Sequence, residues 1–196
     1  MRAVRKEPGI GARGVRLFDL VGAARSAAEP ILKESFTGYY RWHAKRTLHQ
    51  IETARGLELG GTLAGASMLE ELVPGVGYVY YIFVGKEHRR QGVGAALLDD
   101  ALSRFRRRKV EVVFGVAESG NRASVGLFRS RGFRIVPREE VGWREGGLGA
   151  WGLRTRMRII QGEVLLGLRL NPPRKVPRAV ETRPKPLAPR ARAPRR

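Results

Sequence analysis

A basic, glycine-containing loop joins two segments that differ in hydrophobic pattern. Tyr78–Val84 is an apolar, tyrosine-rich run typical of a strand, and from Val93 onward apolar residues recur at helical spacing. The loop includes Arg89, Arg90, Gln91, Gly92, Val93, Gly94 and Ala95. Glycines let backbone N–H groups approach an anion, a helix N-terminus attracts negative charge, and arginine side chains suit a diphosphate. This order predicts a phosphate-binding turn between a strand and a helix.

The alternative for this loop is an ordinary strand-to-helix connection with solvated arginines. It lacks the third glycine of a dinucleotide-binding fingerprint, and it lacks the Gly-Lys-Ser/Thr of a nucleotide P-loop. Neither of those two phosphate sites is therefore predicted. The choice between a binding site and a plain connection depends on the elements around the loop.

The segments before the loop read as a strand, two helices and a hairpin. Residues 15–18 alternate as a strand, and Asp19 can cap the helix that follows. That helix should break near Glu29 because Pro30 disfavours helical conformation in the preceding residue. A second helix is predicted over Tyr39–Arg55, and residues 57–71 read as a hairpin that turns at two glycines, 60 and 61. The start of the sheet is therefore antiparallel.

The segments after the loop alternate between helix and strand. An amphipathic helix follows the loop, and Val110–Val116 is an apolar run that predicts a strand buried on both faces. A short helix should end at Gly132, before a strand over Phe133–Val136, and residues 153–170 are predicted to form a final hairpin. The chain is expected to be an α/β domain over residues 14–170 with a flexible N-terminus over residues 1–13.

The last segment, residues 171–196, differs in composition from the rest. It holds seven prolines and nine Arg or Lys residues against the single acid Glu181. Such a segment cannot bury a core, so we expect a disordered basic tail. An electrostatic tether to nucleic acid or ribosomes is one interpretation, and an appendage without a partner is the other.

Composition narrows the classes of function. The 196 residues carry a formal net charge of +20 and no cysteine, which excludes disulfides, thiolate zinc sites and a cysteine nucleophile. The sequence shows no apolar run long enough to span a bilayer and no secretory signal, so we expect a cytoplasmic protein with no metal. The charge favours acidic or phosphorylated partners.

Two motifs resemble those of the GNAT superfamily of acyl-CoA-dependent N-acyltransferases. Val84–Ala95 resembles its pyrophosphate motif, with Lys86 in the place of a proline. The second signature is carried by Asn121, Leu127, Phe128, Gly132 and Phe133. The resemblance covers residues 15–136 and implies a mixed, mostly antiparallel twisted sheet with helices on both faces.

The resemblance also implies how acetyl-CoA would bind. The backbone of Ile82, Phe83 and Val84 would pair with the pantetheine arm, and one N–H there would hold the thioester oxygen. The loop from Arg89 to Ala95, with Arg90, Gln91, Gly92, Val93 and Gly94, would surround the diphosphate. Asn121 would contact the pantetheine or orient the thioester.

Proton transfer is less clearly encoded. Many family members use a tyrosine of the second signature as the acid, but Phe128 stands there and cannot donate a proton. If the turn between residues 72 and 77 closes symmetrically, Glu71 lies opposite Tyr78, and this pair is the first candidate for the general base. Glu118, after the buried strand, is the second candidate.

The acceptor is expected to meet the second helix through Tyr39, Trp42 and His43, although these residues could simply cover the sheet edge. The leading hypothesis is acetyl transfer to a protein or peptide amine, either an N-terminal amine or a lysine. A small-molecule amine is the alternative acceptor. A non-catalytic nucleic-acid-binding protein on the same scaffold is the alternative class.

Overall fold

One mixed sheet with helices on both faces makes up the domain. The computed structural model describes residues 14–137, residue 157 and residues 159–171. In chain order the elements are β1 (Val15–Asp19), α1 (Ala23–Ala27), α2 (Glu29–Ser35), α3 (Gly38–Gln50), β2 (Thr53–Leu59), β3 (Thr62–Val73), β4 (Val76–Val84), a 3-10 helix (Lys86–His88), α4 (Val93–Arg107), β5 (Val112–Glu118), α5 (Arg122–Ser130), β6 (Arg134–Ile135) and β7 (Glu163–Arg169). The strand order is β1-β2-β3-β4-β5-β7-β6. Within the described strands β4 and β5 pair in parallel and the other pairs are antiparallel, which confirms the predicted fold class.

The two faces of the sheet carry different helices. Met68 and Leu69 are consecutive on β3, so their side chains point to opposite faces. Met68 packs in a cluster with Leu32 of α2 and Leu48 of α3. Leu69 packs in a cluster with residues of α4 such as Leu98. Helices α1 to α3 therefore cover one face, and α4 and α5 cover the other.

The helical region before β2 follows the prediction in part. Pro30 lies in the first turn of α2, and α1 ends at Ala27, so the predicted break is confirmed. The predicted cap is wrong, because α1 begins after Gly22 without a side-chain cap. The Asp19 carboxylate instead accepts hydrogen bonds from Arg55 and Arg104 at 2.9 and 3.1 Å.

The second helix is shorter than predicted. α3 ends at Gln50, Ile51 is extended, and Arg55 belongs to β2. The guanidinium of Arg25 donates to the carbonyl oxygens of Leu48 and Ile51 at 2.9 and 2.7 Å, and so satisfies acceptors that the end of α3 leaves unpaired. The prediction failed because Ile51 continues the helical spacing of apolar residues although its own backbone is extended.

Two hairpins precede the loop, and the second contains two bulges. Gly60 and Gly61 both have positive φ, 56° and 83°, as a two-residue hairpin turn requires. The turn between β3 and β4 closes symmetrically at Val73 and Val76, but Leu72 is bulged in β3 and Tyr80 is bulged in β4. Between these bulges the pairing is displaced by one residue.

The end of the domain differs from the predicted hairpin. β7 pairs with β5 along its whole length and with β6 at Leu166 and Gly167. Most of the predicted partner strand, residues 153–156 and 158, lies outside the described residues, as do the predicted flexible N-terminus (1–13) and all but the first residue of the tail.

Candidate active site

The sheet opens between its two central strands. Pairing between β4 and β5 ends at Val79 and Gly115, yet β4 continues to Val84 and β5 to Glu118. The bulge at Tyr80 lies where the pairing stops, and a bulge bends its strand and increases its twist. Within the described strands, the edge of β4 that faces β5 therefore has no partner beyond Val79.

Three predicted acetyl-CoA contacts lie on this open edge. Ile82 and Val84 are half-buried, and Phe83 is buried in the cluster beneath α2 and α3. Ile82 and Val84 pack against α4 residues instead, because the bulge at Tyr80 changes which face the following residues occupy. The expectation that Tyr78 shares a face with Ile82 is thus wrong. What these residues offer to the opening is backbone, so the predicted pairing with pantetheine stays a prediction.

The N-terminus of α4 lies at the end of the open edge. Gly92 precedes the helix with φ of 86°, a left-handed conformation, and no side chain caps the helix. The first intrahelical bond given to the N-cap carbonyl runs from Ala96 to Gly92. The N–H groups of Val93, Gly94 and Ala95 therefore have no acceptor within the helix, and the positive end of its dipole favours an anion.

The basic residues of the loop surround this helix end. Arg89 and Arg90 are exposed, and Nε of Arg89 donates to the carbonyl of Val84 at 3.2 Å. Arg90 has φ of 58°, which is uncommon for a residue with a side chain, and the amide of Gln91 donates to the carbonyl of Glu87 at 2.6 Å. The chain thus maintains a strained, basic turn here, as the predicted diphosphate site requires.

A gap beside Gly94 tests whether an acyl-CoA fits. A Cβ at Gly94 would point towards Leu127 of α5 and Val84 of β4, at 3.5 and 3.8 Å. The position therefore faces the space between α4, α5 and the open end of β4. Free helix N–H groups, two arginines and this gap fit a diphosphate that leads into an extended arm.

The second signature has mainly structural contacts. Asn121 caps α5, because its Oδ1 accepts a hydrogen bond of 3.0 Å from the N–H of Ser124, so its predicted contact with pantetheine stays a prediction. Phe128 is buried and packs edge-on against Phe133. A Cβ at Gly115 would come within 2.6 Å of the Phe128 ring, so the glycine makes room for this phenylalanine.

The residues predicted to meet the acceptor cluster on α3. Tyr39 and Trp42 are 49% and 55% exposed, and the Tyr39 ring stacks on the ring of His43. Nδ1 of His43 lies 2.7 Å from the hydroxyl of Tyr81 on β4. The structure therefore brings together an exposed aromatic surface and a hydrogen bond that ties it to the open strand.

A second contact ties α3 to the other half of the sheet. The hydroxyl of Tyr40 donates to Oε1 of Glu163 at 2.9 Å, and the N–H of Ile160 donates to Oε2 of Glu163 at 2.7 Å. Burial and the nearby carboxylate of Glu163 raise the pKa of Tyr40 well above its usual range, so the phenol keeps its proton. Because α3 contacts β4 through His43 and β7 through Tyr40, it lies over the opening.

Glu118 faces the same region. It pairs directly with Glu163 across β5 and β7, and cross-strand partners share a face. Ile82 and Glu118 each lie three residues beyond the last β4–β5 pair, so they stand at the same level of the opening. The Glu118 side chain is exposed, and it makes no hydrogen bond or ion pair with any residue that the structure describes.

The first candidate base is placed differently from the prediction. The bulge at Leu72 sets Glu71 opposite Gly77 and Glu70 opposite Tyr78. Glu71 accepts a hydrogen bond of 2.8 Å from the N–H of Gly75 in the turn, at the far end of β4 from the opening. Tyr78 is 3% exposed and its hydroxyl donates to the carbonyl of Met157, and burial raises its pKa. The expected Glu71–Tyr78 pair does not form.

Tyr40, Tyr81 and Glu163 belong to this region but were not singled out from the sequence. Tyr40 lay on the apolar side of a predicted helix, and Glu163 simply began a predicted strand. Only the tyrosine-rich character of Tyr78–Val84 hinted at Tyr81. The other contacts join residues far apart in the chain, for which one sequence gives no signal.

Comparison with known proteins decides the family. The sequence model described as the acetyltransferase (GNAT) family matches residues 18–133, which include both motifs and the opening between β4 and β5. The chain belongs to the acetyltransferase (GNAT) family. The domain is therefore of the acyl-CoA-dependent N-acetyltransferase class, and its loop before α4 corresponds to the acyl-CoA side of the site.

Individual relatives cover different parts of this GNAT chain. An L-methionine sulfoximine/L-methionine sulfone acetyltransferase from Pseudomonas paraeruginosa is 39% identical over 54 residues, which are 28% of this chain and 31% of that relative. The ribosomal-protein-S18-alanine N-acetyltransferase from Escherichia coli has a similar fold, with a TM-score of 0.61 at 19% identity over 82% of this chain and 97% of that one. A GNAT acetyltransferase from Elizabethkingia anophelis with acetyl-CoA bound gives 0.60 at 14% identity, over 81% and 99%.

Two further classes of site were considered. No group of three or more His, Asp or Glu side chains in the described part of this GNAT domain could hold a metal ion. No helix among residues 14–137 or 159–171 is long and apolar enough to cross a membrane.

Proposed function

We propose that this protein transfers the acetyl group of acetyl-CoA to a primary amine of a protein or peptide. The observation that carries the proposal is the opening between β4 and β5, which ends at the uncapped N-terminus of α4. Bound there, acetyl-CoA would supply an acetyl thioester to the amine. The chain's own residues would bind the diphosphate, hold the acyl carbonyl and take a proton from the amine.

The donor side would act through backbone groups and arginines. The N–H groups of Val93, Gly94 and Ala95, with Arg89 and Arg90, would bind the diphosphate. An N–H on the open edge of β4 would donate to the acyl oxygen, and one such donor contributes about 3 kcal/mol when negative charge develops on an oxygen. Fixing both reactants in the opening would add a proximity effect.

We assign the general base to Glu118. Its carboxylate stands at the level of Ile82 and has no hydrogen-bond or ion-pair partner in the described part of the domain. A protonated amine that enters beneath α3 would therefore meet a carboxylate able to take its proton. Phe128 cannot protonate a departing thiolate, which can leave unprotonated because a thiol is a moderately strong acid.

A protein or peptide acceptor is supported by the surface over the opening. Tyr39 and Trp42 expose about half of their area on α3, and such aromatic side chains provide contact area for a polypeptide. The Escherichia coli neighbour is named for an alanine of a ribosomal protein, but that likeness supports the fold alone.

A small-molecule amine is the second candidate, and the match to the Pseudomonas paraeruginosa acetyltransferase favours it. That stretch covers 28% of this chain, so it leaves most of the acceptor side uncompared.

The test combines binding with product analysis. Calorimetry with acetyl-CoA should show binding by the full chain, and mass spectrometry of a panel of peptides and small amines should find acetylated peptides. If acetyl-CoA does not bind, the proposal fails as a whole. If it binds and only small amines are acetylated, the acceptor class is wrong and the enzyme class stands.

A further inference from the structure

The Glu163 carboxylate is held in place on the acceptor side of the opening. Tyr40 donates to one of its oxygens at 2.9 Å, and the N–H of Ile160 donates to the other at 2.7 Å. Glu118 lies directly opposite across β5 and β7. Two carboxylates thus stand on one face, at the level of the β4 edge where the acyl group would lie.

Tyr40 reinforces this polarity. Its hydroxyl proton is used in the bond to Glu163, so towards a ligand the phenol oxygen can only accept hydrogen bonds. An ammonium group donates hydrogen bonds and carries positive charge, and it suits such a surface. A carboxylate can only accept hydrogen bonds and would be repelled by both glutamates.

We infer that Glu163, positioned by Tyr40, selects acceptors whose amine has no carboxylate on the adjacent carbon. The inference rests on the proposed function and narrows its substrate class. A peptide N-terminus and a lysine side chain fit, because the group next to the amine is neutral in each. A free α-amino acid does not fit, since its carboxylate lies one carbon from the amine and would enter the same site.

The test compares acceptors that differ only in this group. L-alanine and L-alaninamide, and L-methionine and L-methioninamide, are matched in side chain. For the full chain with saturating acetyl-CoA, kcat/KM for each amide should exceed that for its acid by about tenfold or more, because like charges in a partly desolvated site repel strongly. Calorimetry of the same compounds in the presence of CoA should show the same order of affinity.

Variants assign the effect to Glu163. Glu163→Gln should bring the amide-to-acid ratio close to one, while Tyr40→Phe should keep the charge, and with it the ratio, and lower kcat/KM for all acceptors. Glu58→Gln removes one negative charge on β2, in an ion pair with Arg16, and should leave the ratio unchanged. Raising the salt concentration should reduce the ratio in the wild type, a measurement that does not depend on any variant folding.

Several results would overturn the inference. Equal use of acids and amides by the wild type would remove the selectivity, and a ratio that persists in folded Glu163→Gln would place it elsewhere. These outcomes are distinct from failure of the proposed function, because acetyl-CoA binding is measured separately. A protein that binds acetyl-CoA and acetylates free amino acids as well as their amides would refute this inference and leave the enzyme class intact.

Discussion

The hydroxyl of Tyr40 donates a hydrogen bond of 2.9 Å to the carboxylate of Glu163, and the two residues are 123 positions apart in the chain. This bond joins α3 to β7, while the contact between His43 and Tyr81 joins α3 to β4. The helix that lies over the opening is therefore fixed at both sides.

Tyr40→Phe removes this bond without removing the ring. We expect a loss of about 1–2 kcal/mol in the free energy of unfolding, since a hydrogen bond to a charged group is lost, and a higher KM for the acceptor. Urea denaturation and steady-state kinetics measure the two effects. Tyr39→Phe is the matched control, because Tyr39 is half-exposed and its hydroxyl makes no hydrogen bond within the described residues. Equal effects of the two substitutions would contradict the prediction.

Glu118→Gln keeps the shape of the proposed base and removes its basicity. We expect kcat to fall by about 10²–10⁴ while the Kd for acetyl-CoA is unchanged, because the carboxylate would act on the amine. Stopped assays of CoA release and calorimetry provide the two values. Glu34→Gln, an exposed position on α2, should retain activity. Wild-type kcat in Glu118→Gln would exclude Glu118 as the base.

Gly94→Leu should block the donor site and leave the fold intact. A Cβ there meets only ordinary contacts at 3.5 and 3.8 Å, but a larger side chain would fill the gap between Val84 and Leu127. The Kd for acetyl-CoA should rise by about tenfold or more, with little change in thermal stability, because leucine is a better helix former than glycine. Gly126→Leu on α5, where a Cβ meets nothing within 4 Å, should bind as the wild type does. If both variants bind equally well, the donor does not pass Gly94.

Arg25→Ala should destabilise the region that holds α3. The guanidinium donates to the carbonyls of Leu20, Leu48 and Ile51, and its removal leaves these acceptors without that donor. We expect a loss of about 2–3 kcal/mol, measured by urea denaturation. Arg25→Lys should lose less, since an ammonium can reach some of the same oxygens. A variant as stable as the wild type would show that solvent replaces these bonds.

The stability of the α2–α3 contact should depend on pH. Hydrogen bonds from Lys45 and His49 lower the pKa of Glu29 below its usual value. A carboxylate with a lowered folded-state pKa adds stability above its unfolded pKa, which is about 4.3, and loses it as the pH falls through the folded value. Wild type should therefore exceed Glu29→Gln in stability at pH 7, and the difference should shrink in acid. A difference that grows on acidification would contradict the assigned cause.

The donor side of the site was predictable because its signals are local. A strand, a basic turn and a helix that begins after Gly92 follow one another within about 20 residues, and each has a recognisable composition. The same holds for Asn121, which caps α5 as the short helix predicted there would need. Both features depend on neighbours in sequence, so the pattern of one chain encodes them.

The acceptor side was not predictable because it depends on register and on distant contacts. The turn at Pro74 and Gly75 is symmetric as expected, yet one bulged residue, Leu72, moves Glu71 away from Tyr78. Nothing in the composition of β3 marks this bulge. Likewise, Tyr40 fits an apolar helix face, and its bond to Glu163 exists only once α3 and β7 have come together.

The open edge of β4 has a thermodynamic consequence. Only four residue pairs, from Val76 to Val79, join the β1–β4 half of the sheet to the half that contains β5, β7 and β6. A donor whose extended arm hydrogen-bonds to the remaining edge would occupy the position of a neighbouring strand. Amide hydrogen exchange in both halves should then slow together as the ligand concentration rises, because the ligand would contribute part of the cohesion of the native state.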